Sequence, residues 1–248
     1  MSQLMGDPGG GPATPWSHLE FSTPEGPVLC HPTDPLPDLG AIMSVRTPRS
    51  HALSRHVPVQ TFSATNTDVV AVESGLEQEL VLVLDRDPAQ DRLVGQPLTV
   101  TWARQSGGTR RHTPDLLTLT HEGAVTVWDV RPEGRRDPKF WEAARCTRAV
   151  CEHNGWTYEL FGGLPEVHAI NLRWLSSYRH SMPWYADLRD TLERLACTNS
   201  ATIGTLLGAD DGSGELISAM WHWAWDGRLQ LDLTRPLKTS TPVRWEPR

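Results

Sequence analysis

HTPDLLTLTHEGAVTVWDVRP, residues 112–132, is the stretch whose reading decides the fold. Leu116, Leu117 and Leu119 lead into a turn at Glu122-Gly123. Val125, Val127, Trp128 and Val130 then form a second run rich in β-branched residues. Two such runs split by a glycine turn predict a pair of strands. The charges fall at the strand ends: Asp115 at the mouth of the first, Asp129 and Arg131 at the close of the second. Asp129 is flanked by Trp128 and Val130, and a carboxylate in apolar surroundings is costly unless a partner or a metal compensates it. Residues two apart on a strand face one side, so Asp129 and Arg131 share a face. Pairing of the two strands lets Asp115, Asp129 and Arg131 converge, as a hard, oxygen-preferring cation such as Mg²⁺ requires. The same pattern also suits a plain hairpin with an edge salt bridge.

Upstream, VVAVES from Val69 reads as a short strand, and Ser74-Gly75-Leu76-Glu77 has the Ser-x-x-Glu form of a capping box. The helix it opens carries Leu76, Leu80, Val83 and Leu84 on one face and stops before Pro88. Glu77 is therefore a structural cap or a carboxylate aimed at the acidic pair, and sequence alone favours the cap. Leu98 to Trp102 is a second strand after Gln96-Pro97, and SGGTRR reads as the turn into the central stretch. Downstream, Asp137 is placed to N-cap a helix with Pro138 at its first position, running to His153 with Gly155 behind it. Phe140, Ala143, Ala144, Thr147, Val150 and Cys151 make its buried stripe. Trp156 to Phe161 is a further strand. The order predicts an α/β core, a mixed sheet with a helix on either side.

Composition bounds the rest. The chain has 248 residues, 38% of them hydrophobic, and a formal net charge of -7. That balance argues against coating nucleic acid by bulk electrostatics, while Arg110-Arg111 and Arg135-Arg136 form local clusters suited to phosphate. No apolar run approaches membrane-spanning length, and no secretory signal pattern opens the chain, so no membrane partner is expected. Cys30, Cys146, Cys151 and Cys197 lack zinc-ribbon spacing and read as reduced thiols of a cytoplasmic protein. Eleven tryptophans point mainly to core anchors. Residues 1–62 are rich in proline and glycine and read as a disordered or loosely draped extension, with Arg46, Arg49, Arg55, His51 and His56 as a solvated basic linker. Residues 63–180 hold the α/β core. Pro183 separates a helix around residues 166–180 from another, Trp184 to Ala196. Within residues 181–248, Ser200 and Ser213 are placed to cap two more, and Asp226-Gly227 opens a strand through Leu229, Leu231 and Leu233. Pro242 to Trp245 is its expected partner, and the order is that of a winged helix.

The ordered set of Glu77, Gln96-Pro97, Thr113-Pro114-Asp115 and Asp129-Val130-Arg131 resembles the PD-(D/E)xK nucleases. More narrowly it resembles the TnsA-like endonuclease subunits of heteromeric transposases. HAINLRWL (168–175) and the C-terminal DLTRPL look like that family too, so the resemblance spans about residues 65 to 245. It implies a restriction-endonuclease-like core followed by a small winged-helix-like domain that docks on partner proteins. It also implies Mg²⁺, with Mn²⁺ as a substitute, held by Glu77, Asp115 and Asp129 with the Val130 carbonyl as a further oxygen. Arg131 completes the implied catalytic set. The implied task is cutting the 5′ strand at transposon ends, beside a DDE-type transposase and an ATPase regulator.

One position departs from the family. Arg131 stands where lysine is usual, and a guanidinium keeps its charge but stays protonated, so it cannot act as a base. Two alternatives follow: a nuclease-fold subunit that serves DNA-complex assembly without cutting, and a restriction- or repair-type nuclease that acts alone.

Overall fold

The computed structural model describes residues 16–46, 59–104, 107–198 and 200–246. In chain order the elements begin with β1 (Trp16–Thr23), β2 (Gly26–Cys30), β3 (Val59–Ser63), β4 (Asp68–Val72), α1 (Gly75–Leu84), β5 (Gln90–Gly95), β6 (Leu98–Ala103) and β7 (Thr109–His112). They continue with β8 (Leu116–Thr120), β9 (Val125–Val130), α2 (Pro138–His153), β10 (Thr157–Phe161) and α3 (Glu166–Leu175). The last are α4 (Arg189–Ala196), α5 (Ile203–Leu207), α6 (Glu215–Trp225), β11 (Leu229–Gln230) and β12 (Arg244–Trp245). The architecture is mixed α/β. No helix among the described residues is long and apolar enough to cross a membrane.

The chain divides into two compact units: Met1–Arg49 with Val94–Phe161, and Ser50–Leu93 with Gly162–Arg248. This differs from the division expected from sequence. The helix that carries Glu77 falls with the C-terminal residues, and the boundary after the central core lies at Gly162, well before residue 181. The reason is burial: Leu82 of α1 shares a core with Leu172, Leu192, Met220 and Trp225.

In the first unit, β8 and β9 pair antiparallel as the sequence requires, with Leu117 opposite Val127. Gly123 supplies the positive φ of the turn at +82°, a conformation only glycine adopts at no steric cost. β10 pairs parallel with β9, so β9, α2 and β10 form a crossover unit and the sheet is mixed. α2 begins as read: Asp137 Oδ1 accepts the Phe140 N–H at 2.8 Å, and Pro138 occupies the first turn. Its inward face (Ala143, Cys146, Val150, Cys151) packs with Leu117, Val125 and Val127.

A second, antiparallel sheet of order β2-β1-β6-β7 completes that core. Residues 16–30, expected to be loosely draped, are instead two strands of it. Leu19 and Phe21 of β1 are buried against the core that holds Leu98 and Val100 of β6, and burying each contributes about 1.5–3 kcal/mol. β3 likewise falls inside the expected extension yet pairs with β4. Residues 1–15 and 47–58 of that extension, including Arg49, His51, Arg55 and His56, lie outside the described residues. SGGTRR is partly strand too, because Thr109–His112 is β7, paired with β6.

In the second unit, α3, α4, α5 and α6 enclose the apolar core. Thr202 caps α5 in place of Ser200, and Gly214 precedes α6 in place of Ser213. The C-terminal ribbon is short, with Leu229 opposite Trp245 and Gln230 opposite Arg244. All four cysteines are free thiols, three of them buried.

Candidate active site

Asp129 lies on β9 with Val125 and Val127, the three buried positions of an alternating strand. It is 1% exposed, and an ionised carboxylate there needs compensation. The compensation is local. His112 Nε2 donates to both Asp129 oxygens, at 2.8 and 3.0 Å, and the Tyr158 hydroxyl donates to Oδ2. His112 ends β7 in the antiparallel sheet and Asp129 sits on β9 in the mixed one, so this bond ties together the two sheets of the first unit. Tyr158 arrives from β10, in register with Val127.

Asp115 is set by the same strand pair. Leu116 faces Trp128, and one residue earlier the Asp115 N–H bonds the Trp128 carbonyl at 3.0 Å. Asp115 Oδ2 accepts the Val130 N–H at 2.7 Å. Asp115 and Asp129 thus lie in one unit, and the charges of both act on His112. Arg131 follows on the exposed edge. Its N–H continues the parallel ladder to Phe161 O at 2.9 Å, its Nε donates to Arg135 O at 3.2 Å, and its guanidinium lies 5.9 Å from the Phe140 ring centre. Glu77 belongs to the other unit. There it acts as the cap: its N–H bonds Ser74 Oγ at 3.2 Å, its Oε1 takes the Ser74 hydroxyl, and its Oε2 takes the Glu73 N–H, each at 2.7 Å.

The electrostatics follow from these contacts. Burial disfavours the imidazolium of His112. The Asp129 charge and hydrogen bond more than offset that, Asp115 adds to them and Arg46 opposes, so the pKa of His112 lies above its ordinary 6.5. Burial, then the Asp129 charge and hydrogen bond, raise the Tyr158 pKa well above 10.0. The phenol therefore keeps the proton it donates. Burial and Asp129 also push the Cys151 thiol up to about 12, which leaves it inert as a nucleophile.

Gln96 adds a feature the sequence reading quoted only as part of a motif. Its φ is +49°, unfavourable for a residue with a Cβ and more so before proline. Its backbone is held on both sides: the N–H donates to Asp115 O and the C=O accepts from Val45 N, both at 2.9 Å. Strained backbone that the surroundings over-determine clusters at functional sites, and this strain fixes the chain beside Asp115.

Beside the acidic pair is a recess of about 290 Å³ lined in part by Arg110, Arg111, His112, Arg131 and Lys139. Among the described residues no group of three or more His, Cys, Asp or Glu side chains gathers to hold an ion. What the first unit offers is a pair of carboxylates. That suits Mg²⁺, which takes one or two carboxylates and completes its shell with water and substrate phosphate. Asp129 keeps acceptor capacity beyond its hydrogen bonds, because a carboxylate offers about four lone-pair sites. His112 and Tyr158 then orient it, as outer partners orient ligating carboxylates.

His112 and Tyr158 are the site residues that sequence reasoning missed. The signal for His112 was its place three residues before Asp115. None existed for Tyr158, which depends on the parallel register. No family model matches the chain, and no curated protein matches it.

Proposed function

We propose that the chain is a metal-dependent DNA endonuclease subunit of a heteromeric transposase. In this reading the first unit contributes a restriction-endonuclease-like core and the C-terminal residues a winged-helix-like part. The observation that carries it is Asp115 at the head of β8 and Asp129 near the end of β9, on strands that pair and that put Asp115 Oδ2 on the Val130 N–H, with Arg131 and a basic recess at their side.

Asp115 and Asp129 would hold Mg²⁺ or Mn²⁺, with the Val130 carbonyl as a further oxygen, and Glu77 stays in the set on the resemblance alone. The cation, when bound, acidifies water and screens phosphate charge. Within the chain, His112 and Tyr158 fix the Asp129 carboxylate, and Arg131 places a permanent positive charge where negative charge develops on the phosphate. The substrate is the 5′ strand at a transposon end. A DDE-type transposase cuts the other strand, and an ATPase regulator completes the assembly. The net charge of -7 suits a subunit delivered to DNA by partners.

A second reading keeps the fold and drops the cutting: an assembly subunit that docks on DNA. The tethering of Arg131 to Arg135 O and the Phe140 ring favours it, since a catalytic lysine would be free to reach water. Ca²⁺, which binds hard-oxygen sites without supporting cleavage in most such enzymes, separates the two. The endonuclease reading expects Ca²⁺ to tighten DNA binding by the wild type and not by Asp115→Asn, read by fluorescence anisotropy. Affinity indifferent to Ca²⁺ in both proteins would leave the docking reading in its place.

A further inference from the structure

The recess beside the acidic pair carries more positive charge than Arg131 alone brings to the cutting reaction. Its lining carries four permanent cations, Arg110, Arg111, Arg131 and Lys139, against two acids, Asp137 and Glu142. Both acids are already engaged. Asp137 accepts the Phe140 N–H as the cap of α2, and Glu142 takes the Trp102 indole N–H at 3.1 Å and lies 3.5 Å from Arg104. Of the cations, Arg111 bonds Glu20 at 2.6 Å and Arg131 is held through Nε alone. The side chains of Arg110 and Lys139 have no hydrogen-bond or ion-pair partner among the described residues.

Asp137 and Lys139 belong to the first turn of α2, a helix of 16 residues whose amino end opens on the recess. Pro138 has no N–H and Asp137 takes that of Phe140, so the Lys139 N–H is what this end adds, together with the positive end of the helix dipole. At about 290 Å³ the recess admits a phosphate with part of a sugar. A terminal phosphate monoester carries close to two negative charges near neutral pH, where a backbone diester carries one. A confined site with excess cations favours the dianion.

From this geometry we infer that the recess formed by Arg110, Arg131, Lys139 and the α2 amino end binds the terminal 5′-phosphate of a DNA strand. The chain would then grip an end such as its own reaction leaves, in addition to the intact backbone. The inference rests on reading the chain as a DNA-processing subunit, but its test needs no cleavage.

The experiment compares two labelled duplexes, identical except for a 5′-phosphate or a 5′-hydroxyl, in EDTA with the full chain, by fluorescence anisotropy. The phosphorylated end is expected to bind about tenfold more tightly, the factor of one charge-assisted contact. The preference should vanish in Arg110→Ala/Lys139→Ala while weaker binding to the hydroxyl end persists. Lys139 is exposed and Arg110 half-buried, and circular dichroism checks that the variant keeps its fold. Inorganic phosphate should compete only against the phosphorylated duplex. Equal affinity for the two ends overturns the inference, as does a preference that survives in the double variant. Competition by phosphate without any end preference would assign the recess to the free anion and overturn the strand-end assignment. Because EDTA removes metal chemistry, a chain that never cuts DNA can still show the preference, and one that cuts can lack it.

Discussion

Asp129 is the residue on which the first unit turns. Its carboxylate is buried, and His112 and Tyr158 supply the donors that make burial tolerable. Tyr158→Phe removes one charge-assisted hydrogen bond and nothing else, so it should cost about 2 kcal/mol in urea unfolding. An unchanged midpoint would mean that the carboxylate is compensated elsewhere. The histidine gives a pH signature. Its folded pKa is raised above 6.5, so its pairing with Asp129 contributes stability that is fully present below pH 6.5. That contribution is lost as pH rises through the raised value. Melting temperatures followed from about pH 5 to pH 9 should therefore fall more steeply for the wild type than for His112→Gln. Parallel curves would show that the ring is neutral throughout. The pairing of β8 with β9 was legible in the sequence, because strand alternation and a two-strand turn suffice to predict it. The partners of Asp129 were not, since a lone histidine and tyrosine carry no local pattern and meet the carboxylate only through tertiary register.

At the scale of elements, local chemistry predicts what local chemistry controls. Asp137-Pro138 starts α2 and Ser74 starts α1 because a cap satisfies backbone donors within one turn. Ser74→Ala should cost α1 about 1 kcal/mol in chemical denaturation, and Glu77→Gln should cost less, because a neutral amide still accepts the Glu73 N–H. A Glu77→Gln loss exceeding that of Ser74→Ala would contradict the cap as the main role of Glu77. The strands β1 and β2 escaped sequence reading for a different reason. Their surroundings are rich in proline, and their alternating Leu19 and Phe21 reach the core only by pairing with β6, far along the chain, as well as with β2. Composition counted the prolines and could not see the sheet. The same limit explains Thr202 and Gly214, where the cap stands one or two residues from the serine that pattern favoured.

For the whole molecule, the coarse class was readable and the partition was not. Alternating helices and strands dictated a mixed α/β chain, but Glu77 falls in a different unit from Asp115 and Asp129 because α1 buries Leu82 with the C-terminal helices. Sequence order is a poor guide to units when the chain leaves one and returns to it, as it does at Val94. The functional claim belongs at this scale, since it joins the acidic pair, the arginine beside it and the assembly around them. The most direct measurement is strand-specific cleavage of labelled transposon-end DNA with Mg²⁺ or Mn²⁺ and the partner transposase present. Wild type, Asp115→Ala and Arg131→Lys would run side by side. Metal-dependent cutting of the 5′ strand is expected from the wild type and from Arg131→Lys, and none from Asp115→Ala. No cutting by the wild type in a complex that forms, or cutting that survives Asp115→Ala, would contradict the endonuclease reading.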